Sequence, residues 1–218
     1  MQTIFEKMAT QKSVIAVADK LDKKELIVTF DGGKEGEHKT YDPHIWFSVS
    51  LWIEAVKYIG KKMQEIDKPN AAYYQTNLDA YLLKLQDLNK MVTENIQTIP
   101  ENQRLLITSH DAFGYFGKTY NMEVKGLQGI STVTEFGLKD VTQMVDLITT
   151  RKIKAIFVES SVASKPLEAV VAGCKERGHE VKKGGTLCSD AMGAEGTKEG
   201  TYIGMVEHNT KTIVEALK

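Results

Sequence analysis

Two cysteines in 218 residues leave almost no material for covalent staples. Cys174 and Cys188 form no Cys-x-x-Cys pair, which excludes a zinc knuckle and a dithiol redox motif. A disulfide needs a geometry that spacing alone does not supply, so both read as buried or partly buried thiols. Four prolines are too few for a linker-rich or disordered chain. No apolar run approaches the ~20 residues that span a bilayer. The start, Met1-Gln2-Thr3-Ile4-Phe5-Glu6-Lys7, lacks the basic end and apolar centre of a secretory signal. That leaves a cytoplasmic protein or a start that has been removed. Net charge is nearly absent too: 28 Lys plus Arg face 29 Asp plus Glu, which gives no electrostatic footprint for nucleic acid or an anionic membrane. The glycines of residues 184–204 form neither G-x-G-x-x-G nor a P-loop, and no Gly-x-Ser-x-Gly elbow occurs, so nucleotide binding and serine hydrolysis have no motif to rest on.

What is present is regular apolar patterning. Residues 1–10 read as a helix with Ile4, Phe5 and Met8 on one side, residues 13–18 and 25–30 as strands, and 31–39 as a polar, Gly-rich loop. Two short strands and one helix are marginal alone, so this part borrows its core from elsewhere. After Pro43, a helix runs from just past His44 to about Ile66. A second, longer one follows the break at Lys68-Pro69-Asn70 and carries Tyr74, Leu78, Tyr81, Leu85, Leu88 and Val92 at alternating spacings of four and three. At 1.5 Å per residue, ~28 residues extend about 42 Å, the length of a strut between two lobes. From Arg104 onward strand and helix alternate: strands 105–108, 123–127, 153–158 and 180–181, helices 111–120, 138–151, 164–177 and 199–217. Four βα units predict an α/β fold with a parallel sheet and helices on both faces.

Ligands in such sheets bind outside the carboxyl ends of the strands. His110 stands where the strand 105–108 hands over to a helix, His44 stands before a helix, and Asp190 stands in the loop Cys188-Ser189-Asp190-Ala191-Met192-Gly193. Each reads singly as a helix cap or surface group, since caps are commoner than ligands. Together, two imidazoles and a carboxylate suit a first-row divalent metal, and ligands from distant loops are typical of a cleft. Glu159, at the end of an apolar strand, is placed to support the cleft. His38 reads as solvated, His179 as a cation near a helix C-terminus, His208 as a surface residue and Asp111 as a helix cap.

Five segments resemble, in order, the metal-binding solute-binding proteins of ABC importers of the ZnuA/TroA type: Asp42-Pro43-His44-Ile45-Trp46-Phe47, Thr108-Ser109-His110-Asp111-Ala112-Phe113-Gly114-Tyr115-Phe116, Gly126-Leu127-Gln128-Gly129-Ile130-Ser131-Thr132, Ile156-Phe157-Val158-Glu159, and Ser189-Asp190-Ala191-Met192-Gly193 with Gly200-Thr201-Tyr202. The likeness runs across the whole chain. It implies two α/β lobes joined by a long helix: residues 1–69 as a partial N-terminal lobe, 70–99 as the connecting helix and 100–218 as the C-terminal lobe. It also implies Zn2+ or Mn2+, with Fe2+ as a further option, held by His44, His110 and Asp190 as transported ligand. A membrane permease as partner, an extracytoplasmic location and no enzymatic activity follow in the same way. Histidine at 110, where some manganese-selective relatives carry Glu, resembles the zinc-binding or mixed-metal branch. The family pattern also has a leader, more of the first lobe and a first metal-ligating histidine, none of which this sequence contains. It therefore reads as a family member beginning inside its first lobe, with three of four ligands and weakened affinity. Two further readings stand beside this one. In one, the thin N-terminal part drives homodimerisation around a vestigial metal site. In the other, an open coordination position activates water for hydrolysis, for which no paired general base is evident.

Overall fold

The computed structural model describes residues 2–30, 39–130 and 137–218. A short amphipathic helix α1 (Gln2–Ala9) leads into a strand β1 (Val28–Phe30) paired antiparallel with β2 (Lys39–Tyr41). This pair corrects two expectations. The strand predicted at 25–30 is confined to its last three residues, and residues 13–18 form no strand at all. The second run is β-prone, yet no strand lies beside it among the described residues, and Val14 is left exposed. A β-branched run without a ladder partner has nothing to fix it as a strand. Most of the loop predicted at 31–39, including His38, lies outside the described residues.

A single 3-10 turn, Ile45–Phe47, separates His44 from α2 (Val49–Ile66), whose first turn is capped by the Ser48 hydroxyl accepting from Leu51 N. After the turn Lys68–Asn70, α3 (Ala71–Gln97) folds back against α2 and also packs on α7 (Tyr202–Leu217). Its 27 residues make a rod of about 40 Å. The predicted stripe is real, but only Leu85, Leu88, Val92 and Ile96 of its C-terminal half are fully buried.

The remaining strands are parallel. Strand β3 (Leu105–His110) pairs with β4 (Glu123–Gln128), and β5 (Ala155–Glu159) pairs with β6 (Lys182–Leu187). β3 and β5 run side by side, but among the described residues no backbone ladder joins the two pairs. Alternation along these strands feeds two cores. Leu106, Ala155 and Phe157 join the aromatic cluster of Phe47, Phe113 and Phe116 with α3 and α7. Leu105, Ile107 and Ile156 face α5 (Leu138–Arg151) and α6 (Lys165–Glu176). Helices thus cover both faces, the arrangement that parallel strands require. Cys174 and Cys188 are buried free thiols.

The helix expected from 111 begins only at Gly114, as α4 (Gly114–Tyr120), and Asp111 caps nothing. The chain first makes a tight corner in which Ala112 N and the Thr108 hydroxyl both donate to His110 O. Gly126 of β4 makes that corner possible, since a Cβ there would come 2.4 Å from Asp111 N.

Candidate metal centre

Three strand ends and one loop meet at the site. His110 is the last residue of β3, Glu159 the last of β5, and Asp190 lies three residues past the end of β6. His44 comes from the segment after β2, on the other side of the crevice. Side-chain donor atoms of His44, His110 and Asp190 lie within 4.8 Å of one another. The three residues read as candidates from sequence are therefore brought together. Asp190 Oδ1 stands 3.3 Å from His44 Nε2, and its Oδ2 stands 3.6 Å from His110 Nε2.

Each imidazole is gripped from behind by a carboxylate. Asp42 Oδ1 accepts from both the backbone N–H of His44 at 2.8 Å and its ring Nδ1 at 2.7 Å. The proline between them sets the turn that lets an aspartate reach the amide two residues on. Glu159 spreads the same grip over two oxygens. Its Oε1 accepts from His110 N at 2.8 Å, while Oε2 lies 2.5 Å from Nδ1, off the ideal hydrogen-bond line. A carboxylate oxygen and a ring nitrogen that close repel unless a proton lies between them. A proton on Nδ1 of each ring would leave the Nε2 lone pair facing Asp190, the arrangement a metal ligand needs. His110 is completely buried, and its Nε2 has no hydrogen-bond partner among the described residues. Burial works against a charged His110 ring, but the hydrogen bond and charge of Glu159, with Asp190 and Asp111 behind it, outweigh this and hold its pKa above 6.5. Burial, with Asp42 close by, pushes the Asp111 carboxyl up as well.

Further residues hold these parts in place. Tyr115 OH accepts from Ile27 N at 3.1 Å and donates to Asp42 O at 2.9 Å, tying α4 to the His44 segment. Phe47 stacks on Phe113 with centroids 4.2 Å apart. Trp46 Nε1 donates to Ser189 O at 3.2 Å, and Tyr202 OH donates to Trp46 O at 2.9 Å, so the His44 and Asp190 segments are joined directly. Asn209 of α7 grips both backbone groups of Cys188, accepting from N at 2.9 Å and donating to O at 2.7 Å. Asp42 had a legible signal, a carboxylate two residues before a candidate ligand. Asn209 had none, because its partner is distant in sequence, and Tyr115 reads as apolar packing that holds His110 still, without its hydrogen bonds. Glu159 supports the site as its position predicted.

The other two described histidines make hydrogen-bond contacts to backbone carbonyls away from the site. His179 Nε2 lies 2.8 Å from Ile153 O and His208 Nε2 lies 2.9 Å from Thr186 O. An open cavity of about 490 Å³, lined by Trp46, Trp52, Asp190, Met192 and Tyr202 among others, borders the site. Asp190 keeps 41% of its side chain exposed and is the solvent-facing member of the three.

Comparison with known proteins gives the family. The chain is 49% identical over 218 residues to the manganese-binding lipoprotein MntA of Bacillus subtilis, covering all of this chain and 69% of that protein. It is 40% identical over 217 residues to the zinc-binding protein TroA of Treponema pallidum, covering 68% of it. The solved structure of periplasmic zinc-binding TroA superposes with a TM-score of 0.92, matching all of this chain and 76% of that one. Residues 1–216 match the family described as zinc-uptake complex component A, periplasmic, and the chain belongs to this ZnuA family of α/β solute-binding proteins.

Proposed function

We propose that the chain captures a divalent transition-metal ion, Zn2+ or Mn2+ with Fe2+ as a further option, and presents it to the membrane permease of an ABC importer outside the cytoplasm. The observation that carries this reading is the convergence of His44, His110 and Asp190 within 4.8 Å, two of them buried. Neutral imidazole and carboxylate donors suit borderline and hard divalent ions alike. Relatives named for manganese and for zinc both align along the whole chain, so the pair of metals is kept. The ion is cargo, and the half-exposed Asp190 gives it a way in and out. Among the described residues three side chains supply donors, and a shell of three protein donors binds less tightly than one of four. We assign residues 1–69 and 100–218 to the two lobes and 70–99 to the helix between them.

Calorimetric titration of metal-free protein tests the ligands. One ion per chain is expected, with His44→Ala and Asp190→Ala each weakening binding by roughly 100-fold or more, since each removes one donor of three. Stoichiometric binding indifferent to both substitutions would sink the assignment.

A second reading rests on α1, where Ile4, Phe5 and Met8 are 61%, 51% and 45% exposed. An apolar helix face of this kind is covered when two copies associate, giving a homodimer. Light scattering that shows a monomer throughout the micromolar range rules it out.

A further inference from the structure

The two carboxylates behind the histidines are not equivalent, and the difference has a chemical consequence. Asp42 uses one oxygen, Oδ1, for both the amide and the ring of His44, at 2.8 and 2.7 Å. Glu159 uses two: Oε1 for the amide of His110 at 2.8 Å, and Oε2 against the ring at 2.5 Å. Glu159 belongs to β5, not to the strand that carries His110, and its side chain is completely buried. It bridges two strands that no backbone ladder joins among the described residues.

We propose that Glu159 is the positioning residue that sets the His110 tautomer, in a way that requires both carboxylate oxygens, whereas Asp42 positions His44 through a single oxygen. The proposal rests on His110 being a metal ligand through Nε2. A neutral imidazole has one N–H, and the group facing Nδ1 decides where it sits. A glutamine at 159 has one carbonyl oxygen and one NH2. The His110 amide is an obligatory donor at a buried strand end and keeps that carbonyl. The NH2 then faces Nδ1, which must accept, so the ring proton moves to Nε2 and blocks the lone pair that meets the metal. An asparagine at 42 keeps a carbonyl oxygen where Oδ1 stands. That oxygen still accepts both bonds, so the His44 ring keeps its proton on Nδ1 and loses only the charge behind it.

The test is long-range proton–nitrogen NMR on metal-free protein with 15N-labelled histidine rings, at a pH alkaline enough to keep the rings neutral. In the unsubstituted protein, His44 and His110 are both expected as the Nδ1–H form. In Glu159→Gln, His110 is expected to change to Nε2–H, with Zn2+ affinity falling roughly 10–100-fold, the usual effect of disturbing a ligand's outer hydrogen bond. In Asp42→Asn, His44 is expected to stay Nδ1–H with a smaller loss. A residue that merely packs the interior would not move one ring's proton while leaving the other's in place. The proposal is overturned if His110 is already Nε2–H in the unsubstituted protein, if it keeps Nδ1–H in Glu159→Gln, or if both variants flip their rings alike. If Glu159→Gln fails to fold, Glu159→Asp, whose shorter carboxylate withdraws from the ring, is expected to loosen the Nδ1–H preference of His110, and an unchanged ring there overturns the proposal. Absence of metal binding by the unsubstituted protein would instead overturn the metal-capture reading and leave the tautomer result to be judged from the spectra.

Discussion

His110 concentrates the physics of the site. Its pKa is held above 6.5 because the Glu159 hydrogen bond and charge outweigh the cost of burial. A raised folded-state value means that protonation stabilises the metal-free fold. This contribution is complete below pH 6.5 and is lost as pH rises through the raised value. Metal capture through His110 would have the opposite sign, because a coordinated ring must be neutral. Apparent affinity for Zn2+ is therefore expected to fall as pH is lowered from about 8 to about 6, the fall setting in before the ordinary histidine range is reached. Calorimetric titrations across that interval check it, and an affinity that is flat until the pH is well below 6.5 would contradict it. Asn209 supplies a second residue-level prediction. It makes both hydrogen bonds at the base of the Asp190 loop, so Asn209→Ala leaves the buried N–H and C=O of Cys188 without those partners. A loss of about 1–3 kcal/mol in denaturant unfolding is expected, with weaker metal binding because Asp190 is no longer held.

At the scale of elements, the site depends on a corner rather than on a helix start. Substituting Gly126 by Ala places a methyl 2.4 Å from Asp111 N, and neither strand can move without disturbing the β3–β4 register. Overpacking against backbone costs about 1–3 kcal/mol, which thermal unfolding of Gly126→Ala would register. The corner also explains what was legible. Apolar periodicity located β3, β5 and the helices α2, α3, α5 and α7, because these bury a continuous face and no distant partner is needed to specify them. It failed where pairing decides the outcome. Residues 13–18 have strand composition but no neighbour, and the helix predicted from 111 is delayed to Gly114 by the Thr108 and Ala112 bonds to His110 O. The three converging residues were readable because strand ends and helix starts are where polar side chains face a crevice. The hydrogen bonds of Tyr115, Trp46 and Asn209 to Asp42, Ser189 and Cys188 were not, since they depend on tertiary placement alone.

For the molecule as a whole, an ion at the candidate site would add a further link between segments that Trp46, Tyr202 and Tyr115 already tie together. His44 and Trp46 belong to the segment before α2, His110 to β3 and Asp190 to the loop after β6. An ion held by all three binds only the folded arrangement, so at a free concentration about 100 times Kd it stabilises the fold by about 2.7 kcal/mol. Thermal unfolding with added Zn2+ or Mn2+ is expected to shift upward by several degrees, and a chelator should reverse the shift. The most direct test of the central claim is X-ray absorption at the zinc edge of the stoichiometrically loaded chain. Two imidazole nitrogens and oxygen donors at about 2.0–2.2 Å are predicted, with no sulfur. A sulfur scatterer at about 2.3 Å would place the ion on a cysteine thiolate, and a shell without imidazole would place it on exposed carboxylates; either result would contradict capture by His44, His110 and Asp190.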